Sequence, residues 1–470
     1  MNELRHARGG AHIGVLPMHL IGISEEEAHL APGLDEEIAT ALARFRRMYV
    51  VASNSLARYV NESRHPEAIR RTFGLDFVVD GTILKLRDRI RITVRLLDLR
   101  DGNQVAWARR FERKSTDLLT LQGEIAAEVV AQIDPEILLI EARHSASRAP
   151  MDATPYALTM RAVPLIGRMD RVQFMKAGEL LSEAIALEPG DAAPHAWYAY
   201  WHGFLISQDW ADDRQASIET AGQIADRAIV LDPFDARALA IAGHVRACLQ
   251  RRPSEASALH ERALSLNPNL AMAWALSAAT RAYLGDTDEA ERRINRYKRL
   301  SPLDPHAFLF DGFFVLIHLL RRDHESALAM GRVVSEMNPT FSDNFKPYLA
   351  ALGQLGRTQE AAAVRRRLLT LEPGFTVERF LATTPIERES DREHYAEGLR
   401  LAGVSELRPS DDFPLQGQHG LFSMDNPSGE NRARLLDPDE AAQLTSALRP
   451  TLVIQPPLPP PRPAALPCEG

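Results

Sequence analysis

The sequence predicts an α+β amino-terminal domain followed by an all-α superhelix of stacked helical hairpins. Two observations carry this: a strand-like alternation of apolar and polar residues between about 77 and 111, and a proline-marked repeat that recurs from 189 to 373. A third bounds it, because beyond about 409 both patterns end and proline, glycine, aspartate and asparagine accumulate. The expected divisions are a flexible terminus over 1–11, the α+β domain over 12–145, the superhelix over 155–405 and a mostly disordered proline-rich tail over 406–470.

Taken in chain order, IGVLP reads as a short apolar strand. Residues 34–46 have helical amphipathicity, with Asp35 placed as the helix start and Glu36 and Glu37 in a first turn that favours negative charge. MYVVAS is a second strand, and helical material follows over 54–73. FVVDGTILKL and RIRITVRLLDL, joined by Arg87-Asp88, read as an antiparallel pair, and Asp101-Gly102-Asn103 turns the chain into QVAWARRFE. Ile90, Ile92, Val94 and Leu96 alternate with Arg89, Arg91, Thr93 and Arg95, so one face of this sheet should be buried and the other polar. A helix over 117 to about 133 closes the domain.

The repeat is read from six segments: SEAIALEPGDA, DRAIVLDPFDA, ERALSLNPNLA, NRYKRLSPLDP, GRVVSEMNPTF and RRLLTLEPGFT. Their prolines, Pro189, Pro233, Pro268, Pro302, Pro339 and Pro373, are 44, 35, 34, 37 and 34 residues apart. The first interval is longer by about ten residues, SQDWADDRQA. Within a unit such as 271–300, one apolar helix, a Gly285-Asp286 turn and a second helix precede the proline, which cannot continue a helix. Small residues at Ala263, Ala290, Ala327 and Ala361 let the paired helices approach. The period resembles that of tetratricopeptide repeats, which bury their apolar stripes by stacking and leave an extended concave surface. That surface is expected to hold a protein partner.

Whole-chain properties narrow the function classes. A net charge of −8 over 470 residues gives no general attraction for polyanions, so direct nucleic-acid binding is not expected. Two cysteines exclude a disulfide framework and fit a reducing compartment, with the cytoplasm as the expected address. The most apolar stretch, 306–320, is too short for a spanning helix and carries Asp311 and His318; it reads as a buried helix, and no membrane association is expected. The first residues show no secretory pattern.

No phosphate-binding glycine loop, nucleophile elbow or zinc helix occurs in the sequence, so neither catalytic residues, a metal nor a cofactor is expected. His195 and His202 share a helical face among aromatic residues and read as packing. The basic residues Arg292, Arg293, Arg296, Lys298 and Arg299, and those at 365–367, fall on second helices whose outer face is normally charged. The candidate partner-binding residues are aromatic: Trp197, Tyr200, Trp201, Trp274 and Tyr283. A helix over 435–448 and a P-x-x-P-x-R string over 457–462 are the only features expected in the tail.

Taken together, IGVLP, APGLDEEIATALARFRRMYVVASNS, FVVDGTILKLRDRIRITVRLLDLRDGNQVAWARRFER, DLLTLQGEIAAEVV and LSEAIALEPGDA with its copies resemble a known arrangement. It is a TolB-like amino-terminal domain followed by tetratricopeptide repeats, found in bacterial regulatory proteins behind a nucleotide-cyclase or winged-helix domain. The resemblance covers roughly 12–405 and implies signal transduction without catalysis by this segment. About eleven residues precede the first strand, too few for such an output domain, so the output is expected from a partner or a separately encoded subunit. The implied function is a bacterial regulatory adaptor; the alternatives are part of a transcriptional regulator or the non-catalytic part of a cyclase system.

Overall fold

The computed structural model describes residues 9–51, 53, 55–56, 66–87, 89–114, 118–147 and 154–407. The expected tail helix, the 457–462 string and half of the helical stretch 54–73 lie outside them. Six strands form one sheet: β1 (Ala11–Val15), β2 (His19–Ile21), β3 (Met48–Val51), β4 (Phe77–Leu86), β5 (Arg89–Asp98) and β6 (Gln104–Lys114). The order is β3-β1-β4-β5-β6, with β2 beside β4. β1 pairs in parallel with β3 and β4, and such pairs need a crossover, supplied by α1 (Leu30–Leu42) and by the segment ending in α2 (Pro66–Phe73). The β4–β5 and β5–β6 hairpins are antiparallel as expected, their turns using left-handed backbone at Arg87, Gly102 and Asn103.

The expected alternation on β5 is observed: Ile90, Ile92, Val94 and Leu96 are all buried, while Arg89 is exposed. α1 and the long helix α3 (Leu118–Ala146) cover the apolar face through Ile38, Leu42, Ile125 and Val129. Leu56, Ile69, Leu75, Val78 and Leu99 form a second, smaller cluster.

Two expectations need correction. α1 begins at Leu30, so Asp35 lies inside it, buried, where its carboxylate accepts the Met18 N–H at 3.3 Å instead of starting the helix. α3 does not stop near 133 but runs on through Pro135 to Ala146, 29 residues in all. The missing amide of Pro135 is offset by an apolar stripe that crosses it, Ile133, Ile137 and Ile140, all buried.

The superhelix follows as hairpins α4/α5 (Pro155–Gly167, Arg171–Leu187), α6/α7 (Ala192–Ser207, Arg214–Leu231), α8/α9 (Ala236–Cys248, Pro253–Leu266) and α10/α11 (Ala271–Tyr283, Thr287–Leu300). Next come α12 (Ala307–Phe310) and α13 (Gly312–Leu320) paired with α14 (His324–Met337), then α15/α16 (Phe345–Gln354, Thr358–Leu371), and finally α17 (Val377–Thr383) and α18 (Glu389–Leu401). The repeat's grammar has a local cause: Asp191 and Asp235, each two residues after its proline, accept backbone N–H groups at the start of the next helix. Ala263, Ala290, Ala327 and Ala361 are buried between paired helices as expected.

The ten extra residues of the first interval do not loop out. Compared with α10/α11, of 13 and 14 residues, α6 and α7 have 16 and 18, and the turn between them is longer as well. The buried stretch 306–320 is helical but breaks at Asp311, whose carboxylate takes the Lys298 ammonium at 2.6 Å. Sheet and superhelix share one continuous core, locked by the largely buried pair Arg237–Asp134 at 2.7 Å and by the more exposed pair Arg46–Asp232 at 2.6 Å.

Candidate functional site

The concave side of the superhelix is not an open groove. The array coils until its α6 end meets the start of α15: Gln208 Oε1 accepts the Ser342 N–H at 3.2 Å, and Phe204 stacks edge-on with Phe341 at 5.9 Å. Residues 376–395 then cross the hairpin turns in order. Arg379 pairs with Asp209, Arg251 donates to the Ala382 carbonyl, the Glu387 N–H donates to the Tyr283 carbonyl, and Arg322 holds the Ser390 carbonyl and Asp391. Gln354 closes the series on the His394 carbonyl at 2.8 Å. Between α17 and α18 the arm is extended, with Thr384 and Arg388 both in the β region.

Beneath this arm lies a cavity of about 250 Å³. α6, α8, α10, α13 and α15 supply its wall through residues such as Phe204, His244, Tyr283 and Phe313; the arm supplies Phe380, Ile386 and Tyr395. On α8, His244 and Cys248 are one turn apart, and a chain runs from His244 Nδ1 to Cys248 Sγ at 3.4 Å and on to Tyr283 Oη at 3.5 Å. Burial pushes the Cys248 thiol up to about 12 and lowers His244 to about 4, so both are neutral at physiological pH. One rim is charged: burial pulls Lys346 down, but Asp343 at 2.7 Å and Glu372 at 2.8 Å outweigh it and leave the ammonium raised. Two further cations line the cavity: Arg379, paired with Asp209, and Arg214, which donates to the Ile206 carbonyl.

Of the five aromatic candidates, the structure brings Tyr200 and Tyr283 to this cavity. Trp197 lies at the junction with α3, under the Arg237 guanidinium at 5.4 Å. Trp201 is inside the first hairpins, stacked on Phe174 at 5.2 Å with its N–H on the Phe174 carbonyl. Trp274 is half-buried and donates to the Pro268 carbonyl at 2.8 Å. His202 packs between Tyr198 and Trp201, and burial lowers it to about 4; His195 bonds the Asp191 carbonyl. Arg293 departs from its expected outer-face position: it is buried, holding Glu261 at 2.6 Å and Glu289 at 2.7 Å. Sequence reasoning missed His244, Lys346 and Tyr395, which come from three elements spread over about 150 residues and leave no spacing signal. Among the described residues, no group of three or more potential metal ligands converges, and no helix is long and apolar enough to cross a membrane.

No family model matches the chain. Over 184 residues it is 28% identical to "Putative adenylate cyclase 3" of Rhizobium meliloti (strain 1021). That match covers 39% of this chain but only 31% of the relative. A tetratricopeptide repeat protein of Parabacteroides merdae aligns in structure with 53% of this chain and 98% of its own at 14% identity, TM-score 0.31. TolB of Acinetobacter baumannii aligns with 27% of this chain and 28% of its own at 16% identity, TM-score 0.21.

Proposed function

We propose that this chain is a non-catalytic regulatory adaptor that acts in the cytoplasm, its superhelix taking an extended segment of a protein partner and its sheet domain, TolB-like in element order, serving as the sensor half. One observation supports this above the others: the hairpin turns already hold a segment of the chain itself, extended over 384–388 between two helices, and reach main-chain atoms of it at Ala382, Glu387 and Ser390. Main-chain recognition is the mode by which proteins accept peptides of varied sequence. A partner segment would use the same turns once the arm is displaced, which makes the described state the closed one.

The partner is a protein; neither nucleic acid, membrane nor cofactor is needed. The match to a cyclase-named relative favours a second form of this reading, in which the partner is the output domain of a nucleotide-cyclase system.

Affinity capture with the full chain and with Ile386→Asp, which places a charge where Ile386 is 2% exposed, tests the proposal when followed by crosslink mapping. The expected result is stronger capture by the variant, with crosslinks to the turns around Asp209, Arg251 and Gly285. Retention of no specific partner by either form, or crosslinks confined to the outer helices, would count against it.

A further inference from the structure

We infer that the cavity beneath the arm is a binding site for a small, uncharged, ring-shaped molecule bearing a hydroxyl or N–H donor. The inference concerns the arm-closed chain alone and does not rest on the partner reading. The volume, about 250 Å³, is far more than an unfilled packing defect and approaches that of pockets built for small ligands. The walls carry aromatic side chains, among them Phe204, Phe313, Phe341 and Phe380, which offer ring faces and edges to a flat guest.

Polar groups in the cavity are few and specific. Nδ1 of His244 is committed to Cys248, and neither its Nε2 nor the Tyr395 hydroxyl has a hydrogen-bond partner among the described residues, although Tyr395 is only 4% exposed. Because the Cys248 thiol donates to the Tyr283 hydroxyl, its sulfur is left to accept from His244 Nδ1–H, and that tautomer presents a bare lone pair at Nε2, which calls for a donor from the guest. A charged guest would be disfavoured, because among the cationic residues that line the cavity Lys346 and Arg379 are already paired with carboxylates and Arg214 donates to the Ile206 carbonyl.

Because Phe380, Ile386 and Tyr395 belong to the arm, the site exists only while the arm is seated. A guest therefore stabilises the closed form by mass action.

The test uses the full chain with indole and phenol as neutral probes, and benzoate and phenethylamine as charged ones, read by calorimetric titration and by the shift in Tm. Saturable binding of a neutral probe with a rise in Tm is expected, with the charged probes at least about tenfold weaker. Gly203→Leu fills the space, since a β-carbon at Gly203, on the cavity wall, would meet nothing within 4 Å. That variant should fold and lose binding. His244→Leu, which removes the acceptor and keeps the bulk, should bind about tenfold more weakly, the effect of one lost buried hydrogen bond; it carries the comparison if Gly203→Leu does not fold. No saturable binding by either neutral probe, equal binding by the charged probes, or binding unchanged in the folded variants would overturn the assignment.

Discussion

Asp35 shows how far a residue's role can depend on what covers it. Burial raises its carboxyl to about 7, against the lowering effect of the Met18 N–H. Between the ordinary carboxylate value and about 7 the folded state holds a proton that the unfolded chain has released, so this group's contribution falls as pH rises through that window and is level above it. Each unit corresponds to about 1.4 kcal/mol. Asp35→Asn should therefore raise Tm at pH 8 more than at pH 5 relative to the native chain, and an equal shift at both would refute the assignment. Trp201 makes a different residue-scale case: a β-carbon at Gly178 would lie 2.6 Å from its indole ring. Trp201→Ala is expected to cost about 3–5 kcal/mol in denaturant unfolding, the usual range for a buried tryptophan.

Among the elements, α18 is the one whose seat is most exacting. It lies on α15 with Gly353 facing Gly398, and a β-carbon at Gly353 would collide with the Gly398 carbonyl oxygen while one at Gly398 would meet the Ala350 carbonyl at 2.5 Å. Gly398→Val should lift α18 and leave the preceding hairpins folded. The expected signature is rapid protease cleavage near 384–388 with little loss of helical circular dichroism; an unchanged cleavage rate would show that α18 is held by other means. That seat had no sequence signal, since glycine inside a helix carries no pairing information. By contrast the repeat helices were legible from 3.6-residue periodicity closed by proline, and the β5 alternation from its period of two. α3 was misjudged at its end because Pro135 is a local breaker overridden by burial on either side of it.

On the scale of the molecule, the continuous core between sheet and superhelix predicts cooperative unfolding of residues 9–407. Calorimetry should record one transition for this body, and two well-separated ones would refute the shared core. Arg237→Ala breaks the Arg237–Asp134 pair at that junction, leaving a buried carboxylate. A loss of about 3–5 kcal/mol is expected from denaturant midpoints, with the sheet and array signals shifting together. The Arg379–Asp209 pair that fastens the arm is partly exposed, so its removal should cost no more than about 1 kcal/mol and depend on salt.

Sequence alone determined the two-part order of the chain, the hairpin period, the buried face of the β5 strand and the small residues between paired helices. These follow from local rules: strand and helix periods, the missing proline amide and the space a methyl group takes. Only the tertiary structure decided that the array coils until α6 meets α15, that the arm fills its concave side, and that His244, Cys248, Tyr283 and Tyr395 enclose one cavity. Superhelical closure sums small rotations between successive hairpins, and no residue encodes that sum. Of the five aromatic candidates, Tyr200 and Tyr283 reach the cavity because α6 and α10 turn inward there. The three tryptophans are held elsewhere by the carbonyl and guanidinium partners they find only after packing.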